Sequence, residues 1–510
     1  MMADKNKKEA IAKLIREGVL ISPDLLEELE KIEQLPLISD VVVINKDILQ
    51  ADIVINLREL EKIKARAEKS KDQTTYNAFR SHITNEKKET KSNTKVVFSY
   101  EKPSTKRSPK DFVAYFSRRF SQLEKILKAR PELKNVVSIG RLNLNGSKES
   151  VSIIGMVKEK QVTKNGNIVI ILEDQTGIVK IMVTKNKHIL FELAKDTVVD
   201  AVIGIIGATA EKVIFANSIL WPDVPSDKQL TKSKEQGYAA IISDIHVGSS
   251  KFLPEEFDRF LKWLNGETGS AAQRELARQV KYLFIVGDIV DGVGVYPDQK
   301  KELAITDIFE QYTEAGRLLS KIPKNIKLII CPGNHDAMRL SEPQPAFTEE
   351  FCKPLREALP HALFVSNPSM ITIEESDNFA GIDILLYHGY SFDYYVAEVS
   401  SIRKDGGYDR ADLIMKYLLQ QRHLAPSYGS ALYIPDPNKD NLVIEKVPDI
   451  FASGHIHKTS VSTYRNVTLI CGSCWQGKTS FQEKMGHHPE PARVPLINLK
   501  TREVKVLKFG

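Results

Sequence analysis

Apolar positions change their spacing several times along the chain, and each change marks a different kind of element. Residues 6–17 and 23–33 repeat apolar side chains at helical spacing, and Ser22, Pro23 and Asp24 supply a start signal for the second helix. A third helical pattern rich in Leu, Glu and Lys runs over 57–69, so residues 1–80 predict a small helical N-terminal domain. Residues 84–110 are dense in Lys, Glu, Ser, Thr and Asn, hold Pro103 and Pro109, and predict a polar linker too poor in apolar groups to order itself. Helical spacing returns at Phe112, Phe116, Phe120, Leu123 and Leu127, giving a basic amphipathic helix over 110–129 that Pro131 ends. The linker and this helix together make a segment over 81–134.

Over 135–222 the period becomes that of strands. β-branched runs at 152–157, 168–172, 178–183, 198–206 and 212–219 are separated by turn signals such as Lys164-Asn165-Gly166-Asn167 and Asp174-Gln175-Thr176-Gly177. Five short strands with a helical insert at 187–194 predict an OB-type β-barrel over 135–225, with another small β domain as the alternative. A second polar linker, 225–235, follows. Beyond it, over 236–510, apolar strands at 238–243, 281–286, 326–331, 382–387 and 449–453 alternate with helical patterns, which is the signature of an α/β domain.

Composition narrows the classes. At 510 residues, with 42% apolar and 27% charged positions, the chain suggests about three domains and excludes global disorder or a fibrous repeat. The longest strongly apolar stretch, 198–210, contains Asp200 and falls short of the roughly 18 residues a bilayer span needs. The start, MMADKNKKEA, carries charges where a signal peptide has its apolar region, so the expectation is a soluble, cytoplasmic protein without a membrane partner. Four cysteines make no disulfide framework, and Cys471 and Cys474, a single CxxC without a second pair, are expected as packing thiols. The net charge of +6 is uneven: residues 102–134 sum to +7, leaving −1 for all the rest. Arg118, Arg119, Lys125 and Lys128 in this block are candidate contacts to a DNA backbone, against the alternative of a solvated helix face.

The strongest chemical signal lies directly after the five α/β strands. In order the strand ends read Asp244-Ile245-His246, Gly287-Asp288, Gly333-Asn334-His335-Asp336, His388-Gly389 and Gly454-His455-Ile456-His457, which places five of the chain's eleven histidines there. Open α/β sheets collect their sites at the carboxyl ends of strands. Residues at i and i+2 of an extended chain point the same way, so Asp244 with His246, and His455 with His457, are expected to aim paired ligands into one cleft. Mixed imidazole, carboxylate and amide donors suit Mn²⁺, Fe²⁺ or Zn²⁺ better than an all-oxygen Mg²⁺ site. Two such ions roughly 3.5–4 Å apart clamp a phosphate and activate a water, so the predicted reaction class is phosphoester hydrolysis. Asp336 and Asp291 are expected to cap turns, with orienting His335 the alternative for Asp336 and reaching the cleft the alternative for Asp291, and residues 481–493, with His487 and His488 adjacent, are expected to form an ordered extended loop that binds no third metal.

These motifs resemble the calcineurin-like metallophosphoesterase superfamily, whose fold is two packed mixed sheets flanked by helices. The resemblance implies that Asp244, His246 and His457 ligate one metal, Asn334, His388 and His455 the other, and that Asp288 bridges both. It implies for His335 the role of stabilising the transition state and protonating the leaving group. The domain order, and the stretches SDIHVGS at 243–249, VGDIVDGVGVYP at 286–297, CPGNHDAMR at 331–339, LYHGYSFD at 386–393 and SGHIHK at 453–458, further resemble the small subunits of archaeal family-D DNA polymerases. Those are relatives of the B subunits of eukaryotic replicative polymerases. In the eukaryotic branch the metal ligands have decayed, whereas every ligand position here holds a competent residue. The resemblance therefore implies a 3′-to-5′ exonuclease with two divalent ions, Mn²⁺ foremost, that proofreads single-stranded or mismatched 3′ ends. The implied partners are a polymerase large subunit in a heterodimer, DNA, and other replication factors recruited by the N-terminal domain. The alternatives are a scaffold subunit without catalysis and a phosphoesterase acting on another phosphoester.

Overall fold

The computed structural model describes residues 94–103, 105–145 and 148–510, together with the backbone of two short strands before them. The chain divides into two compact units, Met1–Lys91 and Ser92–Gly510. In the first, β1 (Leu20–Ile21) pairs in parallel with β2 (Val54–Ile55). The helices expected over 6–17, 23–33 and 57–69 lie outside the described residues.

The second unit opens with β3 (Lys95–Ser99), inside the segment expected to be a linker without order. The strand forms because its backbone has a partner far along the chain: it pairs antiparallel with Ser369–Ile373, from Thr372↔Lys95 to Ser369↔Ser99. The basic helix α1 (Pro109–Lys128) follows, with Pro109 in its first turn and Asp111 returning a carboxylate to the Ser108 amide at 2.7 Å.

A closed five-stranded barrel comes next. Its strands are β4 (Ser150–Val162), β5 (Ile168–Asp174), β6 (Gly177–Val183), β7 (Val202–Ala210) and β8 (Val213–Leu220), in the order β4-β5-β6-β8-β7, with α2 (His188–Asp196) between β6 and β7. Alternation fills it: Ile168, Ile170 and Leu172 of β5 point inward with Val179, Ile181 and Val183 of β6.

The remainder is mixed α/β, as the strand pattern predicts. Its elements run β9 (Tyr238–Ile242), α3 (Pro254–Leu264), α4 (Ala271–Arg278), β10 (Val280–Val286), α5 (Ile308–Leu319), β11 (Lys327–Cys331), α6 (Glu349–Ala358), β12 (Leu363–Phe364), β13 (Ser369–Ile373) and β14 (Ile382–Leu386). Then come α7 (Phe392–Glu398), α8 (Ser400–Lys404), α9 (Ala411–Gln421), β15 (Ile450–Ser453), β16 (Ser460–Tyr464), β17 (Val467–Cys471), α10 (Ser480–Lys484), β18 (Arg493–Asn498) and β19 (Val504–Lys508). The strands form two six-stranded sheets, β12-β11-β10-β9-β18-β19 and β16-β17-β15-β14-β13-β3.

The sheets pack face to face, and this explains the uninterrupted apolar runs of the central strands. Ala239 and Ile241 of β9, Phe284 of β10 and Ile329 of β11 meet Ile371 of β13, Ile384 of β14 and Ile450 of β15 between the sheets. The alternate residues Ala240, Ile242 and Leu283 face the other way, against Phe257 and Phe260 of α3 and Tyr312 and Leu318 of α5. On the outer face of the second sheet, Leu385 and Phe451 pack on Ile414 and Leu418 of α9 in a core continuous with the barrel interior.

Arg119 departs from the expectation for the basic block. Although it sits among surface cations of α1, its side chain is 0% exposed and its Nε donates to Asp440 Oδ2 at 2.7 Å. Nη1 donates to the Pro426 carbonyl at 2.6 Å, and the guanidinium lies over the Phe116 and Tyr433 rings at 4.8 and 5.1 Å. A cation so enclosed joins helix to loop and is not presented to a phosphate backbone. Arg118, Lys125 and Lys128 remain exposed. No helix among the described residues is long and apolar enough to cross a membrane.

Candidate metal centre

All five strand-end motifs lie at carboxyl ends of parallel-paired strands, β9, β10 and β11 in one sheet and β14 and β15 in the other. Their side chains converge where the sheets meet. Asp244 Oδ1 lies 3.3 Å from His457 Nε2 and 4.0 Å from His246 Nε2, while the two imidazole nitrogens are 3.1 Å apart. Asp288 Oδ2 lies 3.9 Å from His246 Nε2 and 3.2 Å from His388 Nε2, placing this carboxylate between two clusters. In the second cluster, Asn334 Oδ1 is 3.0 Å from both His388 Nε2 and His455 Nδ1. The structure thus brings together all seven residues singled out as ligands.

The residues at i, i+2 spacing do converge, but the backbone behind them is not the extended one expected. Asp244, His246, Asp288, His455 and His457 all have positive φ, between 52° and 70°, so the ligand loops are not strand continuations. Left-handed kinks at alternate residues turn the ligands inward while Ile245 and Ile456 stay buried. Non-glycine residues in this region cost of order 1–3 kcal/mol each and persist where the surroundings hold them, characteristically at functional sites. Close approach also demands a glycine: a Cβ on Gly333 would meet Asp288 Oδ1 at 2.2 Å.

The far nitrogen of each imidazole is held as well. Asp291 Oδ1 lies 3.1 Å from His246 Nδ1, Asp393 Oδ2 is 3.1 Å from His455 Nε2, and the Gln482 amide is 2.9 Å from His457 Nδ1. His388 Nδ1 donates to the Val286 carbonyl at 2.9 Å, which directs Nε2 into the cluster. Such outer partners fix ring orientation and tautomer in metal sites. Asp291, in place of the turn cap its sequence position suggests, buttresses a histidine; Asp393 and Gln482 carry no signal in the sequence. The residues around 481–493 include the short helix α10, and this is how Gln482 reaches the site. Asp336 does act on backbone, accepting from Gly333 N at 2.8 Å and Ile289 N at 3.2 Å. Cys471 and Cys474 are buried free thiols.

Electrostatics follow from crowding donors in a largely buried cleft. Burial alone would raise the Asp288 carboxyl, yet His388, His335 and His246 around it hold it well below the usual carboxylate range. Conversely, burial opposes charge on His388, but Asp288 and Asp244 push it up to about 10. Asp336, buried and facing Asp288, is pushed up to about 7. His335 goes the other way, lowered chiefly by burial, against the pull of Asp288. Its Nδ1 donates to the Asp291 carbonyl at 2.8 Å, so Nε2 is the atom available for proton transfer.

The donor set fits divalent cations. Among the described residues, Asp244, His246 and His457, then His246, Asp288 and His335, then Asp244, Asp288 and His388, each bring ligand atoms within 4.8 Å of one another. Lone pairs of nitrogen and carboxylate oxygen facing one another at such distances repel unless a cation or protons lie between them, and the mixed donors match borderline metals.

The family of DNA polymerase alpha/epsilon B subunits matches residues 239–462 of the chain. The DNA polymerase II small subunit of Methanothermobacter thermautotrophicus is 42% identical over 401 residues, 78% of this chain and 79% of that protein. The protein of the same description from Pyrococcus abyssi is 42% identical over 403 residues, 78% of this chain but 63% of its own length. A solved structure described as a novel archaeal phosphodiesterase aligns over 53% of this chain and 98% of its own at 14% identity, with a TM-score of 0.25, too low to bear on the fold.

Proposed function

The chain belongs to the DNA polymerase II small-subunit family, and from that premise we propose that it carries the proofreading exonuclease of a heterodimeric replicative DNA polymerase. In this reading the two-sheet domain is a calcineurin-like metallophosphoesterase, the barrel is of OB type, and polymerisation belongs to a large-subunit partner. The observation that carries it is the convergence of Asp244, His246, Asp288, Asn334, His388, His455 and His457 with every position chemically competent. A subunit kept only as a scaffold has no use for five left-handed ligand residues and buttressed imidazoles.

Asp244, His246 and His457 would hold one ion, Asn334, His388 and His455 the other, with Asp288 shared. Two divalent cations, Mn²⁺ foremost, supply charge neutralisation at a phosphodiester and activation of a water. The chain's own residues do the rest. Asp291 and Asp393 fix the histidine rings, and His335 offers Nε2 to the leaving oxygen, with its protonated state favoured once an anionic phosphodiester lies beside it. Exposed Arg118, Lys125 and Lys128 on α1 offer sequence-independent contacts to phosphates.

The test is Mn²⁺-dependent release of mononucleotides from a primer with a mismatched 3′ end, by the chain alone and with its large subunit. Release is expected, with loss of activity in Asp288→Ala and His455→Ala. No release under either condition, or activity within about twofold of wild type in these variants, would overturn the reading.

A further inference from the structure

Asn334 and His335 line a cleft of about 510 Å³ together with a set of largely apolar walls. These are Val293, Val295, Met338, Leu340, Phe351 and Tyr390. Val293 is 52% and Val295 38% exposed, an unusual position for two aliphatic side chains bordering a cluster of charged and imidazole groups. Their loop is pressed onto the site: Gly292 has φ +73°, and a Cβ there would meet the His335 carbonyl oxygen at 2.4 Å. Nothing in phosphodiester chemistry itself uses these walls.

Resting on the exonuclease reading, we propose that these apolar walls receive the unpaired 3′-terminal nucleobase while its phosphate lies beside His335 and Asn334. A nucleotide carries the same two kinds of surface as the cleft lining, a charged phosphate and a flat, largely apolar base. Continuity with the catalytic residues sets the occupant, because whatever fills the apolar part of the cleft must be attached to the phosphodiester being cut. Apart from the Tyr390 phenol, the named walls offer no side-chain hydrogen-bonding group, so the pocket accepts any base and reads none. A base still paired and stacked in duplex cannot enter. The pocket therefore selects frayed ends by shape alone, and this is the discrimination a proofreader needs.

The experiment compares single-stranded oligonucleotides ending in thymidine or in an abasic residue, using the full chain and the double variant Val293→Ser/Val295→Ser. Base–protein contacts of this kind are worth about 5- to 150-fold, so KM for the abasic end should rise by roughly that factor in the wild type and by much less in the variant. A second readout needs no turnover: 2-aminopurine at the 3′ terminus should gain fluorescence as it leaves its stacked neighbour on binding the wild type, and gain less on binding the variant. Equal KM for abasic and thymidine ends, or a 2-aminopurine signal indifferent to the variant, overturns the base pocket while leaving the exonuclease standing. A fluorescence gain that depends on the two valines, without cleavage of any end, supports the pocket and instead removes the exonuclease. An apolar segment of a partner protein that competes with the oligonucleotide for the cleft without either base effect also overturns the proposal.

Discussion

His335 and Asp393 stand on opposite sides of the same cluster, and their geometry assigns them separable jobs. His335 presents Nε2 to the cleft, whereas Asp393 touches the site only through His455. His335→Asn should therefore keep its metal occupancy and lose rate by about 10²- to 10⁴-fold, the range for a positioned acid or base. Asp393→Asn should do the reverse, weakening metal affinity by about 10- to 100-fold as outer-shell replacements do, with the lost activity restored at high Mn²⁺. Calorimetric titration of Mn²⁺ beside single-turnover cleavage separates them, and loss of metal from His335→Asn would make it a ligand. Arg119 is a residue of another kind. Removing one partner of a buried pair strands the other, so Arg119→Ala should destabilise the fold by about 3–5 kcal/mol in denaturant unfolding. A cost near zero would show that Asp440 has other means of compensation.

At the scale of elements, α1 is held to the loop over 422–445 by a polar cluster whose protonation can be followed. His423 Nε2 donates to Asp440 Oδ2 at 2.8 Å while its Nδ1 accepts from Ala425 N at 2.9 Å, an arrangement only the neutral ring satisfies. Burial, with Arg119 nearby, lowers His423 to about 4. The unfolded chain binds a proton on this ring near pH 6.5 and the folded chain does not until about 4, so across that window stability is lost as the pH falls. Chemical denaturation between pH 7 and 4 should show a slope of up to about 1.4 kcal/mol per pH unit from this group. His423→Gln should reduce the proton uptake on unfolding by roughly one; an unchanged slope would assign the effect elsewhere. None of this was legible in the sequence, because Arg119 and Asp440 are 321 residues apart and a cation on a basic helix carries no sign of burial. The strands were legible because burial on two faces leaves continuous apolar runs. The candidate cluster was legible because histidine and aspartate rarely follow such runs by chance. Asp291 was legible only as a second choice behind a turn role, and Asp393 and Gln482 not at all, since a carboxylate or amide behind a histidine obeys no spacing rule; only the fold brings α10 under His457.

For the whole molecule, the boundary at Lys91–Ser92 and the place of β3 decide what can be removed. Deleting residues 1–91 should leave melting temperature, exonuclease activity and co-purification with the large subunit unchanged, if the first unit serves recruitment. Deleting 1–100 takes β3 from the edge of a six-stranded sheet, together with the hydrogen bond from Tyr100 N to Ser366 Oγ, and should lower the melting temperature. Thermal unfolding and affinity co-purification of the two truncations provide the comparison, and indistinguishable melting curves would make β3 dispensable. The same strand bears on how the protein is made. Ser99 meets Ser366 across 267 residues, so at about 5–20 residues per second β3 leaves the ribosome roughly 13–53 s before its partner strand exists. During that interval Lys95-Val96-Val97-Phe98-Ser99 is an unpaired, β-prone segment on a nascent chain, flanked by the cations and prolines of 102–110 that discourage its pairing with other chains. Neutralising Lys106 and Arg107, which lie outside the cap of α1, should therefore lower the yield of soluble protein during synthesis while leaving the finished molecule as stable as before.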